Sequence, residues 1–156
     1  MQRDYLLRII DQVALLLARA IRQREASTPQ EGLQSIMAAC ERLFGMEAVQ
    51  LFQFTPDQHV VMLAKGEDPE AAQAKILIYA RLNQEAGACY QRLGQANLAQ
   101  QSFVNALRLS LEAEAQSPGS AMPDFAPDFK ELIQQIGTPT DPAIAELIAE
   151  AKAKFG

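Results

Sequence analysis

With one histidine and two cysteines among the 156 residues, a Ser-His-Asp or Cys-His site would have to be built around His59. His59 lies in Asp57-Gln58-His59-Val60-Val61-Met62. On a helix, Asp57 would face away from it, so no neighbouring carboxylate orients the imidazole. A general base needs a partner within hydrogen-bond reach; His59 reads instead as a surface or hydrogen-bonded structural residue. Cys40 and Cys89 fall among apolar stripe residues and read as buried, inert thiols. They are far apart and outside any CxxC spacing, and one histidine cannot supply a two-histidine metal site. Glu112 and Glu114 diverge on a helix, while Asp124 and Asp128 straddle a helix start, where carboxylates complement the dipole. Gly87 and Gly94 are not spaced as a phosphate loop. The reading is of a non-enzyme with no metal and no cofactor.

Composition narrows the rest. The chain carries a net charge of −5 and a pI near 4.9, which argues against a nucleic-acid partner, because that needs surplus Lys and Arg. Hydrophobic residues at 49% and charged ones at 21% are globular values. Twenty-six alanines against five valines favour helix over sheet. No apolar run is long enough to cross a bilayer, and acidic residues interrupt the N-terminal segment. The expectation is a cytoplasmic protein without a membrane partner. Residues 1–26 hold five Arg against three acids, and residues 112–156 hold eight acids against three Lys. The acidic segment reads as a solvated face.

Helix starts are written plainly. Thr28-Pro29, Thr55-Pro56, Asp68-Pro69 and Asp141-Pro142 each pair a capping side chain with a proline at the first helical position. Thr28 with Glu31, and Thr55 with Gln58 or Asp57, approximate capping boxes. The first helix is expected from about Asp4 to Glu25, with an apolar arc of about 220°, wider than a one-sided surface helix requires. The remaining helices are expected at about 29–44, 46–54, 56–65, 69–93, 96–115, 127–136 and 142–155. The 46–54 segment alternates enough to pass for a strand. Residues 116–123, Gln-Ser-Pro-Gly-Ser-Ala-Met-Pro, read as a linker before a C-terminal helical pair at 124–156.

From 80 to 113 the pattern Gly87-x-x-Tyr90-x-x-x-Gly94-x-x-x-x-Ala99-x-x-x-Phe103-x-x-Ala106 places small residues where two helices would cross closely. Tyr90 and Phe103 fill the space beside that crossing, and Gly94 makes the turn. This pattern resembles a tetratricopeptide (TPR) repeat. It departs from the family at Asn83, where a large residue is usual, at Ala96, and at Leu111, where proline would close the repeat. The whole plan is also similar to an uncharacterised bacterial family of TPR-like domain proteins. The expected architecture is therefore all-α: seven or eight helices in one domain over 1–156, stacked as hairpins in a short right-handed TPR-like array.

Such repeats hold peptides or helices against the first helix of each pair. The resemblance implies a partner groove at Arg81, Gln84, Glu85, Ala88 and Gln91. Ala88 and Glu85 stand where carboxylate-clamp repeats use Asn and Arg, which argues against that clamp. The leading expectation is a scaffold or adaptor binding another protein or peptide. The alternatives are a homodimer joined through the first helix, with Leu15 and Leu17 on its face, and a small-molecule sensor binding between helices.

Overall fold

The computed structural model describes residues 2–156, with side chains described from Asp4 onward. Among the described residues the chain is all-helical: α1 (Gln2–Glu25), α2 (Pro29–Phe44), α3 (Ala48–Leu51), α4 (Pro56–Ala64), α5 (Pro69–Arg92), α6 (Ala96–Gln116), α7 (Phe129–Ile136) and α8 (Pro142–Phe155). No helix there is long and apolar enough to cross a membrane.

Local capping explains most boundaries. Thr55 and Gln58 form a reciprocal capping box at the start of α4. Asp68 accepts from the Ala71 amide at 2.8 Å, and Asp141 accepts from Ala143 at 2.9 Å. Asp128 caps α7 in the same way, so that helix starts at Phe129 rather than at Pro127. The box expected at Thr28 does not form. Its hydroxyl donates to the Gln23 carbonyl at 2.7 Å, and its amide bonds the same carbonyl at 2.8 Å. Thr28 is engaged in ending α1, so it makes no side-chain cap for α2. The segment expected as a helix at 46–54 contracts to the single turn of α3.

Two helical hairpins form the body. Three-residue connections join α1 to α2 and α5 to α6, and each pair packs along its length. The second turn is a Schellman ending: Gly94 adopts φ +73°, its amide bonds the Gln91 carbonyl, and the Gln95 amide bonds Tyr90. Helix α5 is central and lies against α1, α2, α4 and α6. Gly32 lets the hairpins meet, since a Cβ there would stand 3.1 Å from both the Ala20 carbonyl oxygen and Cys89 Sγ. Gly87 likewise has no room, because a Cβ would fall 2.5 Å from the Phe103 ring. The obstacle expected there was a facing helix; it is an aromatic side chain of α6.

The C-terminal third is packed against the rest. Leu132 and Ile136 of α7, with Ile148 and Ala151 of α8, share a buried cluster with Phe103, Ala106 and Leu107 of α6. Phe129 and Phe155 stack at 3.9 Å with planes 4° apart. The segment read as a linker is also fastened. Met122 packs on the main core, and Ser117 and Ser120 bond each other at 2.6 Å; just beyond the linker, Phe125 and Ala126 pack on the same core. Helix α6 has no glycine at its end. Instead the Gln73 amide of α5 donates to the carbonyls of Ala113 and Ser117, both at 3.1 Å.

Candidate functional site

The groove face expected on α5 is closed from within the chain. Gln84 is 3% exposed and donates to Gln135 Oε1 of α7 at 3.0 Å. Glu85 is 7% exposed and sits between two arginines: Arg24 Nη2 at 3.1 Å from Oε2 and Arg81 Nε at 3.3 Å from Oε1. The first approach is off the hydrogen-bonding direction, and Arg24 Nε is buried without an acceptor, so charge rather than alignment holds this pair. Arg81 also reaches the Ala126 carbonyl at 3.5 Å, and Ala88 is 6% exposed. Of the five residues only Gln91 is exposed. The groove assignment at Gln84, Glu85 and Ala88 is corrected accordingly: the returning C-terminal segment and the end of α1 occupy the space a partner would need.

The expected dimer face also divides. Leu17 is buried in the main core, whereas Leu15 stands 72% exposed. Two residues apart on a helix they lie about 200° apart, so one contact cannot use both. Of the repeat positions, Gly87, Ala99, Phe103 and Ala106 are buried, Tyr90 is half-buried and Gly94 is exposed in its turn.

An open cleft lies on another face of α5, with a volume of about 340 Å³, between α2, α5, α6 and the turn after α3. Leu33 and Met37, one helical turn apart on α2, form one wall. Asn83, Ala86 and Tyr90 of α5 form the other, with Ser102 from α6. Asn83 to Tyr90 spans seven residues, about 10 Å along the axis. Phe52 and Met37 also line the cleft and stay 53% and 42% exposed. No charged side chain lines it. The room exists because Asn83 and Ala86 interrupt an apolar stripe with small side chains. That interruption was visible in the sequence as the departure at Asn83, but periodicity alone reads the stripe as core.

A buried polar chain supports the inner side of the cleft. His59, 4% exposed, has Nε2 2.8 Å from the Leu51 carbonyl and Nδ1 3.0 Å from the Tyr79 hydroxyl. A carbonyl only accepts, so Nε2 carries the proton and Tyr79 donates to Nδ1. Phe44 packs edge-on against both rings, at 5.4 Å from His59 and 4.9 Å from Tyr79. Burial drives the Tyr79 hydroxyl pKa well above its ordinary value; neighbouring Cys40 adds to the rise and the Asn83 amide opposes it. Burial, with a lesser effect of Glu41, pushes the Cys40 thiol up to about 12. Burial likewise raises Cys89 to about 11, partly offset by Arg24. These thiols are protonated at neutral pH and are poor nucleophiles.

Asp57 makes no bond to His59, which places that histidine in a structural tie between α3, α4 and α5. Among the described residues no three His, Cys, Asp or Glu side chains converge as a metal would require. Compared with protein-family models, curated proteins and solved structures, the chain matches none of them.

Proposed function

We propose that the protein is a non-catalytic interaction module that holds an apolar helical segment of a partner protein in the cleft between α2, α5 and α6. The observation that carries this reading is the character of the cleft. It is uncharged, and the large apolar side chains of Met37 and Phe52 stand exposed at it rather than folding inward. Exposed apolar groups beside a concavity are a feature of docking surfaces. Met37 adds an adaptable, unbranched side chain of the kind that accommodates varied apolar partners. The hairpins α1–α2 and α5–α6, with α5 against both helices of the first pair, are consistent with a TPR-like stack. That class, with the adaptor role it implies, belongs to the same proposal.

Selection of short helical peptides from a displayed library tests it. Peptides carrying apolar side chains at i and i+3 or i+4 should be enriched, and their binding should perturb amide resonances of α2 and α5 around Met37 and Ala86. Ala86→Arg and Met37→Glu should each weaken binding at least tenfold while leaving the melting temperature within a few degrees. Peptides that map to another face, or that bind both variants unchanged, would remove the cleft as the docking site.

A further inference from the structure

Another recess, separate from that cleft, opens where the start of α5 meets α1 and the segment after α6, with a volume of about 560 Å³. Leu6, Leu7 and Ile10 of α1 and Phe125 give it an apolar wall. Glu67 and Asp68 of the α4–α5 turn and Glu70 of α5 line the other side, and among the described residues no cation lines it. Part of that acidity is used locally: Glu67 pairs with Lys75 at 3.1 Å, and Asp68 Oδ1 accepts from the Ala71 amide. Three carboxylates, one lysine and about half a positive charge from the α5 N-terminus leave the recess negative by about one and a half charges.

Acidic side chains at a helix start say nothing of a ligand by themselves. Gln73 adds an independent sign. It is 4% exposed and lines the recess. Its Nε2 has a carbonyl for each of its two hydrogens, Ala113 and Ser117, both at 3.1 Å. Carbonyls only accept, so the nitrogen must be the atom facing them and has no hydrogen left to offer. Oε1 is the polar atom of that side chain left for the recess, and no described group donates to it.

We propose that this recess binds a cationic N–H group carried on an apolar stem, such as a primary alkylammonium, with Gln73 Oε1 accepting an N–H and the carboxylates compensating the charge. Each feature disfavours a competitor. An anion would meet net negative charge with no described cation to compensate it. A neutral hydrocarbon would strip water from Gln73 Oε1 without replacing its bond. A quaternary ammonium would satisfy the charge but has no hydrogen for that oxygen. A metal ion would gain nothing from Leu6, Leu7 and Phe125, and among the described residues no three ligating side chains converge. An ammonium carries three donors, enough for the amide oxygen and a carboxylate together, while its stem lies against the α1 leucines.

The test titrates the full chain with n-hexylammonium, 1-hexanol, hexanoate and hexyltrimethylammonium, followed by amide resonance shifts at Ala71, Gln73, Ala74 and Ser120. Hexylammonium should bind at least about tenfold more tightly than hexanol or hexanoate, as expected for a charge-assisted hydrogen bond. It should exceed hexyltrimethylammonium by about three- to tenfold, the share owed to the N–H at Oε1. Glu70 is exposed, so Glu70→Gln should keep the melting temperature while weakening hexylammonium about two- to fivefold and leaving hexanol unchanged. Hexanol or hexanoate binding as tightly as hexylammonium, or no probe shifting these residues, would overturn the proposal. Equal binding of hexyltrimethylammonium would overturn the assignment of Gln73 Oε1 as the acceptor. A blocked peptide with lysine between leucines, and its norleucine counterpart, form the second arm. Peptide binding that requires the lysine places the cation on a partner chain, and binding of hexylammonium alone makes it a free amine; either result supports the site.

Discussion

Gly87 is small because of a ring. A Cβ at that position would lie 2.5 to 2.9 Å from three atoms of the Phe103 ring, itself 1% exposed. Gly87→Ala should destabilise the protein by about 1–3 kcal/mol through overpacking, measured by urea denaturation. Phe103→Leu alone should also destabilise, but the double variant should lose less than the sum, since the shortened side chain makes room for the methyl group. Additivity would mean the ring and the glycine do not share one space. The sequence carries this pairing in the sixteen-residue spacing between Gly87 and Phe103 that resembles a repeat. It does not reveal that Gly32 performs a comparable service between the hairpins. That close approach joins the Ala20 carbonyl and Cys89 from two different helices, and no local pattern around Gly32 announces it.

At the scale of single helices, ends that depend on adjacent residues were legible and shared ends were not. Thr55, Asp68 and Asp141 cap as their proline contexts indicate. Thr28 fails because it belongs to the preceding helix end, where Ser27 takes φ +65° and its amide bonds Arg24. The Gln23 bond to Thr28 completes a Schellman pattern with serine in the position glycine prefers. A left-handed conformation costs a residue with a Cβ about 1–2 kcal/mol. Ser27→Gly should therefore raise stability by up to about 1 kcal/mol, after the extra freedom glycine gives the unfolded chain. An unchanged or lower denaturation midpoint would show that the hydroxyl or the local geometry matters more.

For the molecule as a whole, the all-helical class followed from alanine content and periodicity, whereas the choice of open face did not. Arg81, Gln84 and Ala88 are spaced as a groove would be, yet Ala126 and Gln135 return over that face from more than forty residues away. The cleft was hidden for the converse reason: Tyr79 and Tyr90 read as core, although no later segment covers the cleft they line. Burial of both thiols also gives the whole molecule a pH signature. Their folded pKa values, about 12 for Cys40 and about 11 for Cys89, exceed the ordinary value of 9.0. The folded state therefore holds these protons more tightly than the unfolded state does. This contribution is fully present below about pH 9 and declines as pH rises toward 11–12. Urea midpoints should accordingly fall above pH 9, and replacing both cysteines by alanine should make that decline shallower, leaving the part due to Tyr79, whose hydroxyl pKa is raised by burial in the same sense. An equally steep decline in the double variant would assign the alkaline sensitivity elsewhere.

Gln73 gives the fold an unusual division of labour. Its amide reaches carbonyls 40 and 44 positions further along the chain, where α6 finishes without a glycine. Pro118 stops that helix locally, while the carbonyls of its last turn are satisfied by a side chain from another helix. An isolated peptide covering 96–123 would keep the proline stop but lack these bonds, and its last turn should fray. The position of the end is thus local, while the firmness of its final turn comes from closure of the α5–α6 hairpin.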